Sequence, residues 1–533
     1  MKKSLALLFL LAAFALNARA QSDPPPCELL SNLSLPQAKI LGAESVPAGA
    51  FKLPVELPPY MAGAAGIFKA LPAFCRVTVQ AAPSADSDIR IEVWLPAENW
   101  NGKFQASGNG GFAGDINYVG LASSVLGGYA AGSTDTGHSI QGTDPTWALG
   151  HPEKVIDFGH RAIHVMTVVA KEVIRARYSK DPQYSYFLGC SNGGRQALME
   201  AQRYPEDYNG ILAGAPANYW SHLLTSGLWD TQALTNDDDS YIPPAKLSAV
   251  ARAVNAACDA QDGVTDGVLN DPRKCNFKPD TLLCKNGDAN DCLTAPQITA
   301  LKKIYQGPRD SAGKQIFPGF LPGGEEGPGG WFAWITGPEK GKSAIAAFTN
   351  GYFSNIVYEK ADWSYKTADL LQSVKLADEK TAKILNATDA NLAPFNAHGG
   401  KLILYHGWND PAISALNSID YLDSVREKLG SESFVRLYML PGVQHCAGGP
   451  GADSFGALNS PGPKDAQHNV QTALELWVEK GTAPTSLIAT KREGMAPASP
   501  VKFTRLLCPY PQAAKYKGSG DPNDAANFTC AAP

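Results

Sequence analysis

Apolar residues along the chain recur with two periods. In "IRIEVWL" (89–95) apolar and polar positions largely alternate, and "GKFQAS" (102–107) follows across a loop. Successive side chains of a strand face opposite sides, so two strands are predicted there. From 155 to 178, "VIDFGHRAIHVMTVVAKEVIRARY", apolar residues recur at helical spacing. A short apolar run, "YSYFLGCS", then ends at Ser191, and "GGRQALMEAQRYP" reads as a helix stopped by Pro205. "YNGILAGAPA" (208–217) is a further short buried strand. The pattern resumes late, with strand and polar turn in "GGKLILYHGWNDPAIS" (399–414) and again in "SFVRLYMLPGVQHCAGG" (433–449). "NVQTALELWVEKG" (469–481) is a helix ended by Gly481. Short buried strands alternating with helices predict an α/β fold with a mostly parallel sheet.

Between these segments, over 222–394, the βα rhythm stops. Four cysteines, many aromatic residues and "GGEEGPGG" (323–330) mark an insertion. We read it as a lid over the C-terminal ends of the strands, the edge where open α/β sheets bind ligands. The organisation expected is a leader at 1–20, a catalytic domain over 21–221 and 395–533, and the lid between its two parts.

Composition narrows the class. Hydrophobic residues at 44% and charged residues at 18% fit a globular chain, and a net charge of −5 without a basic run argues against nucleic acid as a partner. At the N-terminus Lys2 and Lys3 precede "SLALLFLLAAFALN" and Ala18-Arg19-Ala20. This is the layout of a secretory signal, too short to span a bilayer well, with cleavage after Ala20. The mature protein is therefore expected in a periplasm or outside the cell, with no membrane attachment. Ten cysteines in an exported chain read as disulfides. Proximity in sequence suggests Cys27–Cys75, Cys258–Cys275, Cys284–Cys292 and Cys508–Cys530, which leaves Cys190 and Cys446, although order alone does not fix connectivity.

Gly189-Cys190-Ser191-Asn192-Gly193 fits G-x-S-x-G between a strand and a helix, the frame of a nucleophile elbow. An ordinary βα turn with a capping serine has the same look. Two further residues separate the readings. Asp410 follows the strand "KLILYH" and His445 follows "VRLYML", giving the order Ser, acid, His of an α/β-hydrolase. Serine is a poor nucleophile at neutral pH. It needs an imidazole to take its proton and a carboxylate to orient that imidazole. The oxyanion needs two backbone N–H donors: Asn192, next to the nucleophile, and Gly110 or Gly111 in "GNGGFAG" (108–114). If Cys190 and Cys446 bond, their Cα atoms lie within about 7 Å, which brings Ser191 beside His445.

Cys-Ser, Asp and His-Cys in this order resemble the tannase and feruloyl esterase family, as do "TDTGH" (134–138), "HGWND" and "QHC". The resemblance covers nearly the whole mature chain. It implies an α/β-hydrolase fold, a Cys190–Cys446 disulfide, and hydrolysis of phenolic acid esters of feruloyl, chlorogenate or galloyl type without an organic cofactor. A mono(2-hydroxyethyl) terephthalate hydrolase of the same architecture uses a lid arginine. No arginine occurs here between Arg309 and Arg426, so that activity is expected to be weak at best. A catalytically silent calcium-dependent binding protein is the non-enzyme alternative, and the intact triad stands against it.

"CDAQDGVTDGVLNDPRKC" (258–275) places Asp259, Asp262 and Asp266 in a glycine-punctuated loop. With the carbonyls of Val264 and Val268, these are oxygen donors for a hard cation, though not in EF-hand register. Read from the residues alone, a solvated acidic loop is the simpler account. The resemblance implies a structural Ca²⁺ there. An aromatic acyl pocket is expected from "GWFAWITG" (330–337), Phe348, Tyr352, Phe353, Tyr358 and Trp363.

Overall fold

A computed structural model describes residues 25–57, 59–140, 142–459, 462–494 and 499–532. The expected leader at 1–20 lies outside them. Nine strands form one sheet: β1 Ala38–Val46, β2 Phe74–Ala81, β3 Ile89–Pro96, β4 Lys103–Ser107, β5 Ala130–Thr134, β6 Tyr184–Cys190, β7 Gly210–Gly214, β8 Lys401–Gly407 and β9 Val435–Leu440. Their order is β1-β2-β3-β5-β4-β6-β7-β8-β9. The first three pairings are antiparallel and the rest parallel. β2 has one face wet and alternates, with Val77, Val79 and Ala81 inward. β7 is covered on both faces and all five of its residues are buried. These are the two burial patterns of half-exposed and doubly covered strands.

The helix Ala162–Tyr178 buries Met166, Val169, Ala170, Val173 and Ile174 against the sheet, the spacing read from the sequence. A π turn at Asp157–Arg161 precedes it. There the carbonyls of Phe158 and Gly159 accept from Arg195. The helix after β9 runs Val470–Lys480 and ends on Gly481 at φ 73°.

Between β7 and β8 the chain adds no strand to the main sheet. It builds helices instead, among them Trp220–Thr235, Leu247–Cys258, Ala295–Gln306, Ala344–Gly351 and Leu370–Leu385. One hydrophobic cluster, around Ile242, Leu301 and Trp331, lies within this insertion, and another, around Trp220, Tyr352 and Phe353, joins it to Phe112, Phe158 and Ile413 of the sheet domain. The excursion leaves the sheet after Gly214 and returns at Lys401, so the positions 222 and 394 fall within the helices Trp220–Thr235 and Ala393–Ala397. Five disulfides are present: Cys27–Cys75, Cys190–Cys446, Cys258–Cys275, Cys284–Cys292 and Cys508–Cys530. These are the four pairs suggested by proximity and the one implied by the resemblance.

Candidate active site

Ser191 sits on the turn between β6 and the helix Asn192–Arg203, at φ 63° and ψ −125°. A side-chain-bearing residue at positive φ is strained, and it persists only where the surroundings fix it. Here the Ser191 N–H donates to Gly214 O at 3.0 Å, and Ser191 O accepts from Ala217 N at 3.1 Å. The turn is so tight that a Cβ on residue 189 would lie 2.3 Å from the Gly193 carbonyl oxygen. Only glycine fits there.

Asp410 follows β8 and is buried. One of its oxygens, Oδ1, accepts from the backbone N–H of Ala412 at 2.8 Å and of Ile413 at 3.0 Å. The other, Oδ2, accepts from His445 Nδ1 at 2.8 Å and lies 3.2 Å from His406 Nε2. Burial alone would raise this carboxyl, but the two imidazoles outweigh it and hold Asp410 well below the usual carboxylate range. His406 was not singled out by the sequence. Its Nδ1 lies 2.7 Å from Ser418 Oγ and its Nε2 is 3.1 Å from Ile413 O, so an Nε2–H tautomer serves both acceptors on that side.

His445 follows β9 and meets the edge of Trp334 at 4.9 Å between ring centres. The Cys190–Cys446 bond joins its neighbour to that of Ser191, with Cα atoms 6.0 Å apart. Ser191 and His445 line one apolar cleft. Gly111 and Asn192 line it too, whereas Gly110 is exposed and outside the lining. Among the described residues, no group accepts from the backbone N–H of Gly111 or Asn192. Two unbonded N–H groups beside a serine and an imidazole can stabilise an oxyanion.

The glycine loop is pinned from several sides. Gln196 Oε1 accepts from Asn109 N at 3.0 Å, and Asn109 Nδ2 donates to Asp115 O at 2.7 Å and to Thr134 O at 2.9 Å. Phe112 O contacts His138 Nε2 at 2.7 Å, and burial pushes that imidazole down to about 4, so it stays neutral. "TDTGH" is thus a brace for this loop. A Cβ at Gly111, which has φ 54°, would fall 2.7 Å from Gly142 O. Arg195, wholly buried, donates to Asn192 Oδ1 at 2.8 Å and packs against Trp220 at 5.1 Å. Burial without a carboxylate partner lowers its guanidinium to about 9.

Of the aromatic residues expected around an acyl group, Phe348 and Trp334 (within "GWFAWITG") reach the cleft. Tyr352 and Phe353 are buried core residues, with Trp363 stacked on Phe353 and Tyr358 tilted against it. The cleft takes its remaining walls mainly from the helix Trp220–Thr235 and from Ile345 and Ile413. No lysine or arginine is among its lining residues.

Sheet order, strained serine and acid–histidine pair place the chain among the α/β-hydrolase-fold enzymes. Comparison with known proteins refines that class. The family described as tannase and feruloyl esterase matches residues 75–531, and the chain belongs to that family. It is a carboxylic ester hydrolase of the feruloyl esterase and tannase type. It is 40% identical to an uncharacterized esterase of Xanthomonas campestris pv. campestris, over 98% of this chain and 94% of that protein. It is 33% identical to a probable feruloyl esterase B-2 of Aspergillus terreus, over 86% of each chain. Feruloyl esterase B from Aspergillus oryzae superposes with a TM-score of 0.84 at 28% identity, covering 95% of this chain and 99% of that one.

Proposed function

We propose that the chain is an exported serine esterase for esters of phenolic aromatic acids. In this reading Ser191 attacks the ester carbonyl, His445 takes its proton and returns it to the leaving alcohol, and Asp410 orients the imidazole. The N–H groups of Gly111 and Asn192 hold the oxyanion. Water then attacks the acyl-enzyme, His445 again acting as base, and the free acid leaves. The observation that carries the reading is one cleft lined by both Ser191 and His445, with His445 Nδ1 2.8 Å from Asp410 Oδ2. The apolar walls, with Trp334 and Phe348 among them, favour an aromatic acyl group. Export is supported by five disulfides, which belong to oxidising compartments. No helix of the described residues is long and apolar enough to cross a membrane.

The test is hydrolysis of methyl ferulate, chlorogenate, methyl gallate and the terephthalate monoester by the wild type and Ser191→Ala. Serine-dependent cleavage of the cinnamoyl esters is expected. Preference for the gallate would instead make the chain a tannase. The terephthalate monoester is expected to be poor, since the cleft lining holds no cation for its carboxylate. Wild type that is neither active on the panel nor labelled at Ser191 by a fluorophosphonate would end the enzyme mechanism proposed here.

A structural Ca²⁺ in the loop closed by Cys258–Cys275 is a further part of this proposal. The residues fit a hard cation. Burial, with the carboxylates of Asp266 and Asp259 adding to it, pushes Asp262 up to about 6. No N–H or O–H of the described residues donates to the carbonyl oxygens of Val264 or Val268. Asp259, Asp262, Asp266 and those two carbonyls would hold the ion. Arg505 already pairs with Asp266, which ties the loop to the C-terminal segment. A tighter group, His164, Glu200 and Asp207, has ligand atoms within 4.8 Å of one another, but there the Lys171 ammonium stands 3.8 Å from Asp207.

A further inference from the structure

One carboxyl in the cleft has no part in the triad. Trp220, Leu223, Leu224, Gly227 and Asp230 all line it. They lie at i, i+3, i+4, i+7 and i+10, one face of the helix Trp220–Thr235. At 1.5 Å per residue, Asp230 is displaced from Trp220 by about 15 Å along that helix. One end of this face packs near the catalytic turn, where Arg195 bridges Trp220 and Asn192. At Gly227 the face meets Thr349 and Ile345, one turn short of Asp230. Asp230 therefore stands toward the far end of a largely apolar slot, whose lining also includes Ser226 and Thr349.

Its side chain is 2% exposed, and neither carboxyl oxygen has a hydrogen-bond partner among the described residues. A buried polar group without a partner is destabilising, so a carboxyl left this way in a ligand cleft marks a contact that a ligand completes. Burial also pushes it well above the usual carboxylate range. In the neutral form it both donates and accepts, and so matches a hydroxyl, which does the same.

We propose that Asp230 is a specificity-determining residue that hydrogen-bonds the ring hydroxyl of a phenolic acyl group seated on Ser191. This rests on the esterase reading and narrows it to hydroxylated aromatic acids. A ring carboxylate in the same place would face an acid with no cation nearby, which disfavours terephthalate esters.

The test compares kcat/KM for methyl 4-hydroxycinnamate and methyl cinnamate in the wild type, Asp230→Asn and Asp230→Leu. A site built to bond a hydroxyl rejects the analogue lacking it. The wild type is expected to prefer the hydroxylated ester by at least about 100-fold. Asp230→Asn, which still donates and accepts, keeps most of that preference. Asp230→Leu lowers turnover of the hydroxylated ester about 100-fold and raises that of the bare cinnamate, so the ratio collapses. Fluorophosphonate labelling of Ser191 in each variant confirms a folded site. Equal losses on both esters, or an unchanged ratio in Asp230→Leu, would overturn the assignment. Wild type that labels at Ser191 yet cleaves neither ester is a different pattern. It would remove the phenolic esterase reading, and this inference with it.

Discussion

At the scale of single residues, Asp410 is where the electrostatics of the proposed triad can be tested. It is buried and ionised because His445 and His406 both face Oδ2, overriding the cost of burial. Asp410→Asn keeps the shape but offers His445 an amide, which supports the wrong tautomer. A fall in kcat of about 10⁴ is expected at neutral pH, with the fold intact. The same residue sets a pH dependence of stability. Its folded pKa lies below the unfolded value of about 4, so the native state binds fewer protons there than the unfolded chain. Its contribution is present above that value and is lost as pH falls through it toward the depressed folded one. Melting curves from pH 7 down to pH 3 should therefore show the stability gap between wild type and Asp410→Asn narrowing with acid. A gap that is constant over that range would mean the imidazoles do not hold the charge as described.

At the scale of elements, the site is assembled by turns that follow β6, β8 and β9, and the Cys190–Cys446 bond joins two of those turns. Its partners are 256 residues apart. Chain entropy alone gives a loop of that length on the order of 5 kcal/mol, an upper figure because the other disulfides and the core already restrain the ends. Replacing both cysteines by alanine should lower the melting temperature and slow fluorophosphonate labelling of Ser191 by tenfold or more, since Ser191 and His445 lose their tether. Unchanged labelling in the double variant would make the bond purely structural. These turns were legible in the sequence because each is a local pattern, a short apolar run followed within a few residues by Ser, Asp or His. What was not legible depends on contacts between distant segments. Asp230 carries no signal until Ile345 and Thr349 close over its helix. His406 sits inside a strand pattern and acquires a role only when the turn at Asp410 folds back on it. Gln196 and Asn109 are ordinary polar residues until they lock the glycine loop to the helix after Ser191. The aromatic stretch 348–363 divided in a way that periodicity misses, because the chain passes from an α-helix into a π turn at Tyr352–Val357 and buries Tyr352 and Phe353 away from the cleft.

At the scale of the whole molecule, the acidic loop joins the insertion to the end of the chain. Asp266 pairs with Arg505, Asn270 donates to Ala514 O and Arg273 donates to Tyr510. No residue of 258–275 lines the cleft that holds Ser191 and His445, so an ion held there would act on stability and not on the proposed chemistry. Chelation with EDTA should lower the melting temperature, and Ca²⁺ should restore it. A ligand at 100 times its Kd stabilises the native state by about 2.7 kcal/mol. The sign of the pH dependence follows from Asp262. Without an ion its carboxyl is raised to about 6 in the folded chain, against about 4 when unfolded. The folded state then binds the extra proton, and stability declines as pH rises through that window. A bound cation keeps the carboxylate ionised and removes the decline. The increment in melting temperature from Ca²⁺ should therefore be larger at pH 7 than at pH 5, and Asp262→Asn should reduce it at both. An increment that is equal at the two pH values, or absent on chelation, would leave the loop as a solvated acidic turn fastened by its disulfide and by Arg505.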